Sequence, residues 1–439
     1  MTGPGPRVRS GRAPSGAFTP PGDKSITHRA FLFGLLAEGE TRVRGGNPGE
    51  DCGRSLAAAA ALGAEVTREG GEVVMQGAGT RLRAPAAPLD CGNSGTTMRL
   101  LAGISAGRLP DCELSGDASL SRRPMARVIE PLSRMGARIE SADGGRPPLR
   151  VHGGALRGIA WNSPVASAQV ATCLLLAGLA AEGETSVTLP GPARDHTERM
   201  LPAFGVPVSV SPADGGGRTV RVARAVPRGA SLTVPGDFSA AAFFLAAAAA
   251  VPGAEVTARG VNLNPTRTGL LDVLAAMGAV VTVANRRDEA GEPAGDVTVR
   301  GPAELRAFDV PPAWVPRLVD EVPAWIVAAS AARGVSRVTG AAELRVKESD
   351  RIVALARNLG RLGVTARELA DGLEVEGGRP RGGTVEAHLD HRIVMAFAAL
   401  ATRAEEPVGF DDVASVATSY PGFWSDLAAL GASVETDAA

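Results

Sequence analysis

Lysine is almost missing from this sequence: of its 46 basic residues, only Lys24 and Lys347 are not arginine. Aromatic residues are scarce too, at 4%, with a single tyrosine. Apolar stretches such as 240–251 are short and Ala-rich, which suits a buried helix and falls well below a membrane span. The N-terminal run MTGPGPRVRSGRAPSG has no apolar core, so no signal peptide is expected. Net charge is -1, so no global field favours nucleic acid or an anionic membrane, and any anion binding must be local. The four cysteines (Cys52, Cys91, Cys112, Cys173) form no CxxC pair. Reduced thiols in a cytoplasmic protein are expected, in place of a disulfide or zinc site.

What is present describes a globular protein. Hydrophobic residues make up 44% and charged residues 21%, and 439 residues are too many for one ordinary core. Where arginine replaces lysine almost everywhere, the two surviving lysines are either chance leftovers or positions that need a compact, deprotonatable ammonium more than a planar fork.

One pattern recurs six times along the chain. An extended run and polar loop lead into an Ala/Leu-rich helix such as PGDKSITHRAFLFGLLAEG or VPGDFSAAAFFLAAAAAVPG. A strand and a second helix follow, the latter ending in Gly and a new strand, as in RSLAAAAALGAEV and GLLDVLAAMGAVVTV. The apolar residues keep i, i+3, i+4 spacing, and the closing Gly fits a left-handed helix end. Runs such as AEVTREGGEVVMQG alternate as half-buried antiparallel strands do. The fold class expected is therefore α/β (α+β): two similar domains, each of three βαβαββ repeats. The stretch NRRDEAGEPAGD reads as an exposed insertion.

Polar residues gather in the loops that lead into helices, where unsatisfied amide groups readily hold phosphate or carboxylate. The first half carries Lys24, Ser25, Arg29, Asn93, Gly95, Thr96, Arg123, Ser167, Gln169 and Arg194 there; the second carries Asp320, Glu321, Lys347, Glu348, Asp350, Arg351, Asp390, His391 and Arg392. Helix capping alone accounts for Asp23, Ser25, Asn93 or Asp320 taken singly. Recurrence in equivalent positions, with cations and carboxylates both present, points to a ligand site. Gly92 and Gly95 around Asn93 and Ser94 permit close approach of the backbone to a ligand.

The motifs PGDKSITHRA, LDCGNSGTTMRLL, GDASLSRRPM, PVASAQVATCLLLAGL, RDHTERML, VDEVPAW, LRVKESDRI, LDHRIVMAFA and ATSYPGFW, in this order, resemble the enolpyruvyl transferase family. Within it they are most similar to the 3-phosphoshikimate 1-carboxyvinyltransferases of the shikimate pathway, from about Pro20 to Gly431. The resemblance implies an active site in the interdomain cleft, with residues 1–20 and 233–439 as one domain and 21–232 as the other. It implies transfer of the enolpyruvyl group of phosphoenolpyruvate to the 5-hydroxyl of shikimate 3-phosphate, with no metal or organic cofactor. Lys24, Ser25, Arg29, Ser167, Ala168, Gln169, Arg194, Asp320 and Lys347 would hold shikimate 3-phosphate. Lys24, Gly95, Arg123, Gln169, Arg351 and Arg392 would hold phosphoenolpyruvate. Asp320, Glu348 and Lys24 would be catalytic, the division of proton transfer between Lys24 and Glu348 staying open. Glyphosate is expected to inhibit, since Gly95 is the small residue of sensitive members. Thr418 stands where some members place a phosphate-binding lysine. A monomer without nucleic-acid or membrane partners is expected.

Two alternatives compete. The sister enzyme acting on UDP-N-acetylglucosamine shares the repeat fold but usually carries a reactive Cys in a mobile loop and an Asn after its first lysine. Here Ser25 follows Lys24, and GDASLSRRPM has no Cys. A non-catalytic anion-binding protein on this scaffold would lose acid–base groups while keeping arginines.

Overall fold

The structure is a computed structural model describing residues 6–435, whose strands form six four-stranded sheets. Twelve α-helices occur among these residues. The first half contains α1 (Lys24–Leu36), α2 (Glu50–Ala61), α3 (Gly95–Ala106), α4 (Ala126–Met135), α5 (Ala168–Gly178) and α6 (His196–Met200). The second half contains α7 (Phe238–Ala250), α8 (Gly269–Ala276), α9 (Val322–Ala329), α10 (Arg351–Arg361), α11 (His391–Leu400) and α12 (Phe423–Ala429).

The repeat containing α3 and α4 shows the plan. Leu89–Asp90 runs parallel to Cys112–Ser115, with α3 as the crossover between them. Cys112–Ser115 pairs antiparallel with Arg146–His152, which pairs antiparallel with Arg138–Ala142. Each second helix is followed by a glycine in the left-handed region, at Gly63, Gly136, Gly205, Gly278, Gly363 and Gly431. Only glycine takes that conformation without steric cost, which is why the Gly-to-strand signature was readable.

The chain divides into two compact units. One comprises Gly22–Val234 with Asp288–Glu292; the other comprises the segment ending at Pro21, Pro235–Arg287 and the chain from Pro293 onward. Of the expected domain segment 1–20, residues 1–5 lie outside the described residues. Each unit has its own apolar core, and each core is built on three helices buried almost all round: α1, α3 and α5 in one, α7, α9 and α11 in the other. In α7 all 13 residues are buried, as a sequence apolar at every position but Ser239 requires. The alternate helices α4 and α10 are amphipathic and cover the outside of their repeats.

Three features depart from expectation. Three repeats are not contiguous in sequence: Ser231–Thr233 closes the sheet of α1 and α2 by pairing parallel with Glu40–Arg44, and Ser15–Phe18 pairs parallel with Glu255–Asn262. Arg7–Arg9 completes a further sheet between Val408–Phe410 and Ser433–Glu435. The expected exposed insertion NRRDEAGEPAGD is instead a continuation of the strands Val280–Glu289 and Glu292–Arg300. They join through Ala290 and Gly291, both at positive φ as the tightest hairpin turns require. Glu292 is fully buried, 2.7 Å from His196 Nδ1. Finally, the second helix of TERMLPAF is only five residues long before it tightens to a 3-10 turn at Leu201–Phe204, where Pro202 lacks an N–H for the α pattern.

Candidate active site

Packing three helices side by side brings their N-termini together, and the polar loops converge there. In the Gly22–Val234 unit, Lys24 opens α1 and its Nζ lies 2.9 Å from Asp51 Oδ2 on α2. Ser25 follows in the first turn of α1. Arg29, one turn on, is 3% exposed and donates to Thr197 Oγ1 (2.8 Å), Ser25 O (2.9 Å) and Thr172 Oγ1 (2.8 Å). Burial lowers its pKa to about 10, against the pull of Glu198, Asp23 and Glu292. All its direct acceptors are neutral, so this buried guanidinium is suited to receive an anion.

Between α3 and α5, Arg99 Nη1 donates to Gln169 Oε1 at 2.5 Å, and Gln169 Nε2 donates to Thr96 Oγ1 at 2.9 Å. Ser167 caps α5 by accepting from Val170 N, and Ala168 is the first helical residue. Arg123 reaches back to Asn93 Oδ1, while Asn93 Nδ2 donates to Asp117. The Arg194 carbonyl accepts from Arg218 at 2.8 Å, fixing the loop before α6. Of the two glycines in CGNSGT, only Gly92 has positive φ. Gly95 starts α3 with ordinary geometry, and its smallness matters for a different reason: a Cβ there would stand 2.8 Å from Arg99 Nη1 and 3.4 Å from Arg123 Nη1.

The other unit gathers carboxylates. Arg351, at the start of α10 and only 1% exposed, donates to Asp390 Oδ2 at 2.8 Å and to Glu348 Oε2 at 2.5 Å, and lies 3.7 Å from Asp320 Oδ1. Lys347 Nζ is 2.7 Å from Glu343 and 3.4 Å from Asp320. Arg392 donates to the Asp320 carbonyl at 2.7 Å. Burial lowers the Arg351 pKa, but Asp390, Glu348 and Asp320 outweigh it and raise the net value. Burial likewise raises Asp390, and Arg351 overrides it to hold the carboxyl below its ordinary 3.8. His391 is the first residue of α11 and is 5% exposed. Thr418 Oγ1 donates to the Ser415 carbonyl within its own 3-10 turn.

Capping explains less than composition suggested. Among the four candidate caps, Asp23 does cap α1. Ser25 lies inside that helix, the cap of α3 is Ser94 instead of Asn93, and Asp320 lies in the 3-10 turn Val319–Glu321. Sequence reasoning passed over Asp51 and Arg99, which hold Lys24 and Gln169. Asp51 stands in the first turn of α2, and Arg99 one turn into α3, so the same search of helix beginnings could have found both.

The family model for EPSP synthase (3-phosphoshikimate 1-carboxyvinyltransferase) matches residues 8–427. The chain belongs to this family. It is 51% identical over 431 residues to the 3-phosphoshikimate 1-carboxyvinyltransferase of Xanthomonas campestris pv. campestris (strain B100), covering 97% of this chain and 96% of that one. It is 52% identical over 425 residues to the enzyme of the same name from Alkalilimnicola ehrlichii, covering 95% and 93%. The solved EPSP synthase of Acinetobacter baumannii superposes with a TM-score of 0.86 at 43% identity, covering 98% of this chain and 99% of that one. EPSP synthases are transferases of the shikimate pathway, and the six similar sheets described above match the family's α/β fold. No helix among the described residues is long and apolar enough to cross a membrane.

Proposed function

We propose that the chain transfers the enolpyruvyl group of phosphoenolpyruvate to the 5-hydroxyl of shikimate 3-phosphate by addition and elimination. Lys24, Ser25, Arg29, Ser167, Ala168, Gln169, Arg194, Asp320 and Lys347 hold the acceptor. Lys24, Gly95, Arg123, Gln169, Arg351 and Arg392 hold phosphoenolpyruvate. The domains are 21–232 and the remainder, and the working protein is a cytoplasmic monomer inhibited by glyphosate, an anionic competitor of phosphoenolpyruvate.

Asp320 takes the proton of the 5-hydroxyl as the oxygen attacks C2 of phosphoenolpyruvate, while Glu348 delivers a proton to C3. The C2–O bond to phosphate then breaks, and C3 returns its proton as the new double bond forms. Lys24 shares in the proton transfer and, with the arginines, stabilises charge developing on the phosphate and carboxylate. Arg351 steadies Glu348 and Asp320, and an incoming anion takes its Nη1 in place of the 3.7 Å contact with Asp320.

The observation that carries this reading is the pair of carboxylates, Asp320 and Glu348, held beside one fully buried guanidinium. A scaffold that only bound anions would gain nothing from them. The test is phosphate release from phosphoenolpyruvate with each acceptor in turn. Release with shikimate 3-phosphate and none with UDP-N-acetylglucosamine is expected, and the reverse pattern refutes the assignment.

A further inference from the structure

Beneath Lys24 lies a second network that none of these roles uses. Lys24 and His28 are four residues apart on α1, and Asp51 and Ser55 four apart on α2, so each pair stacks along its helix. The upper rung is the Lys24–Asp51 ion pair. The lower rung is neutral: His28 Nδ1 is 2.8 Å from Ser55 Oγ, Ser55 Oγ is 2.8 Å from Thr97 Oγ1, and Thr97 Oγ1 donates to Ser94 Oγ at 2.8 Å. His28, Ser55 and Thr97 are fully buried, and Ser94 is 2% exposed. The chain of hydrogen bonds thus runs from α1 through α2 to the cap of α3. There Ser94 also accepts from Thr97 N at 3.1 Å, immediately before Gly95.

Counting protons gives the chain a direction. His28 Nε2 is buried and has no hydrogen-bond partner among the described residues. Burial, then Lys24 and Arg29, keep the ring neutral by lowering its pKa well below 6.5. A buried N–H without a partner is less tolerable than an empty lone pair, so the single ring proton belongs on Nδ1. Nδ1–H then donates to Ser55, Ser55 to Thr97, and Thr97 to Ser94. The alternative acceptor for Thr97, the Asp51 carbonyl, is farther off at 3.4 Å. With both acceptor positions of Ser94 filled by Thr97, the turn into Gly95 has one orientation.

We propose that His28 is a positioning residue for the Ser94–Gly95 turn, setting the affinity of the phosphoenolpyruvate subsite without touching the ligand. The inference rests on the assignment of Gly95 to phosphoenolpyruvate given above. A histidine that served only packing would, when replaced, lower stability and active fraction without distinguishing the two substrates.

Steady-state kinetics of the full chain with His28→Leu and His28→Asn test this. His28→Leu deletes both ring nitrogens; His28→Asn restores a donor near the place of Nδ1. The expected result for His28→Leu is a rise of about five- to tenfold in KM for phosphoenolpyruvate, the worth of one neutral hydrogen bond, with KM for shikimate 3-phosphate moving less than about twofold. His28→Asn should return most of the loss. Equal changes in both KM values, no change in either, or an Asn variant as poor as the Leu variant would overturn the proposal. Thr97→Val removes a link at constant shape and serves if His28→Leu does not fold; the same selective rise is expected, and an unchanged KM for phosphoenolpyruvate refutes it. Gly95→Ala separates the two layers of inference. If it leaves the phosphoenolpyruvate KM unchanged, the subsite assignment is what failed. If it raises that KM while the His28 and Thr97 variants do not, positioning by His28 fails alone.

Discussion

Adding one methyl group at Gly95 should weaken phosphoenolpyruvate binding through an arginine and not by meeting the ligand directly. The Cβ of Gly95→Ala would lie 2.8 Å from Arg99 Nη1, whereas ordinary contact begins near 3.4 Å. Arg99 must therefore retreat by about 0.6 Å. Its Nη1 is the group that donates to Gln169 Oε1 at 2.5 Å, so the retreat lengthens that bond and loosens the hold on the side chain proposed to touch both substrates. A hydrogen bond to a charged group contributes about 1.5–3 kcal/mol, and losing half of it costs about 1 kcal/mol, or roughly fivefold in affinity. Arg123 Nη1, at 3.4 Å from the same Cβ, has little slack either, which raises the expectation to about tenfold. Thermal stability should barely move, because the crowded atoms are tips of flexible side chains. The assay is KM for phosphoenolpyruvate and inhibition by glyphosate in Gly95→Ala, Arg99→Met and the double variant. If Arg99 transmits the effect, the double variant is no worse than Arg99→Met alone. Strictly additive losses would falsify that route, and unchanged binding of both ligands in Gly95→Ala would remove Gly95 from the subsite.

The remaining predictions concern charge and burial. Lys24→Arg should cost at least about a hundredfold in kcat, the scale of a lost proton-transfer group, whereas Lys347→Arg should mainly raise KM for shikimate 3-phosphate; full turnover in both would make the two lysines chance survivors. Asp390→Asn removes a fully buried partner of Arg351 and should cost about 3 kcal/mol, read as a lowered thermal midpoint, because Glu348 and Asp320 still meet the guanidinium. His28 gives a pH signature: its folded pKa lies below the ordinary 6.5, so its contribution is complete above pH 6.5 and declines as pH falls and the unfolded chain binds a proton the folded chain does not. His28→Asn should remove that part of the acid-side slope in the thermal midpoint, and an unchanged slope refutes it. All four thiols are buried, with Cys173 pushed up to about 12 chiefly by burial, so a thiol reagent should find none in the folded protein and four after denaturation. Rapid labelling of one thiol in the native protein would favour the sister enzyme's reactive cysteine.

Much of the fold was legible because its signals are local. The Gly after each second helix reports a left-handed backbone, and the Ala/Leu runs report helices buried all round, as α7 shows. Local signals could not reveal the pairing of Ser231–Thr233 with Glu40–Arg44, since a three-residue strand acquires meaning only from a partner nearly 190 residues away. The hairpin through Ala290 and Gly291 misled for a related reason. Its charges describe the outer face of two strands, and the burial of Glu292 depends on His196, far off in sequence.

The site divides along the same line. Sequence by itself supplied the groups proposed to carry chemistry: two surviving lysines, the carboxylates Asp320 and Glu348, and arginines placed at helix beginnings. Tertiary structure alone decided what each group meets. Lys24 faces Asp51, Gln169 is held by Arg99, and Arg351 is ringed by three carboxylates. The physical reason is that residue type sets what a side chain can donate or accept. Whether it is paired, buried or available depends on helices that meet only after the chain has folded.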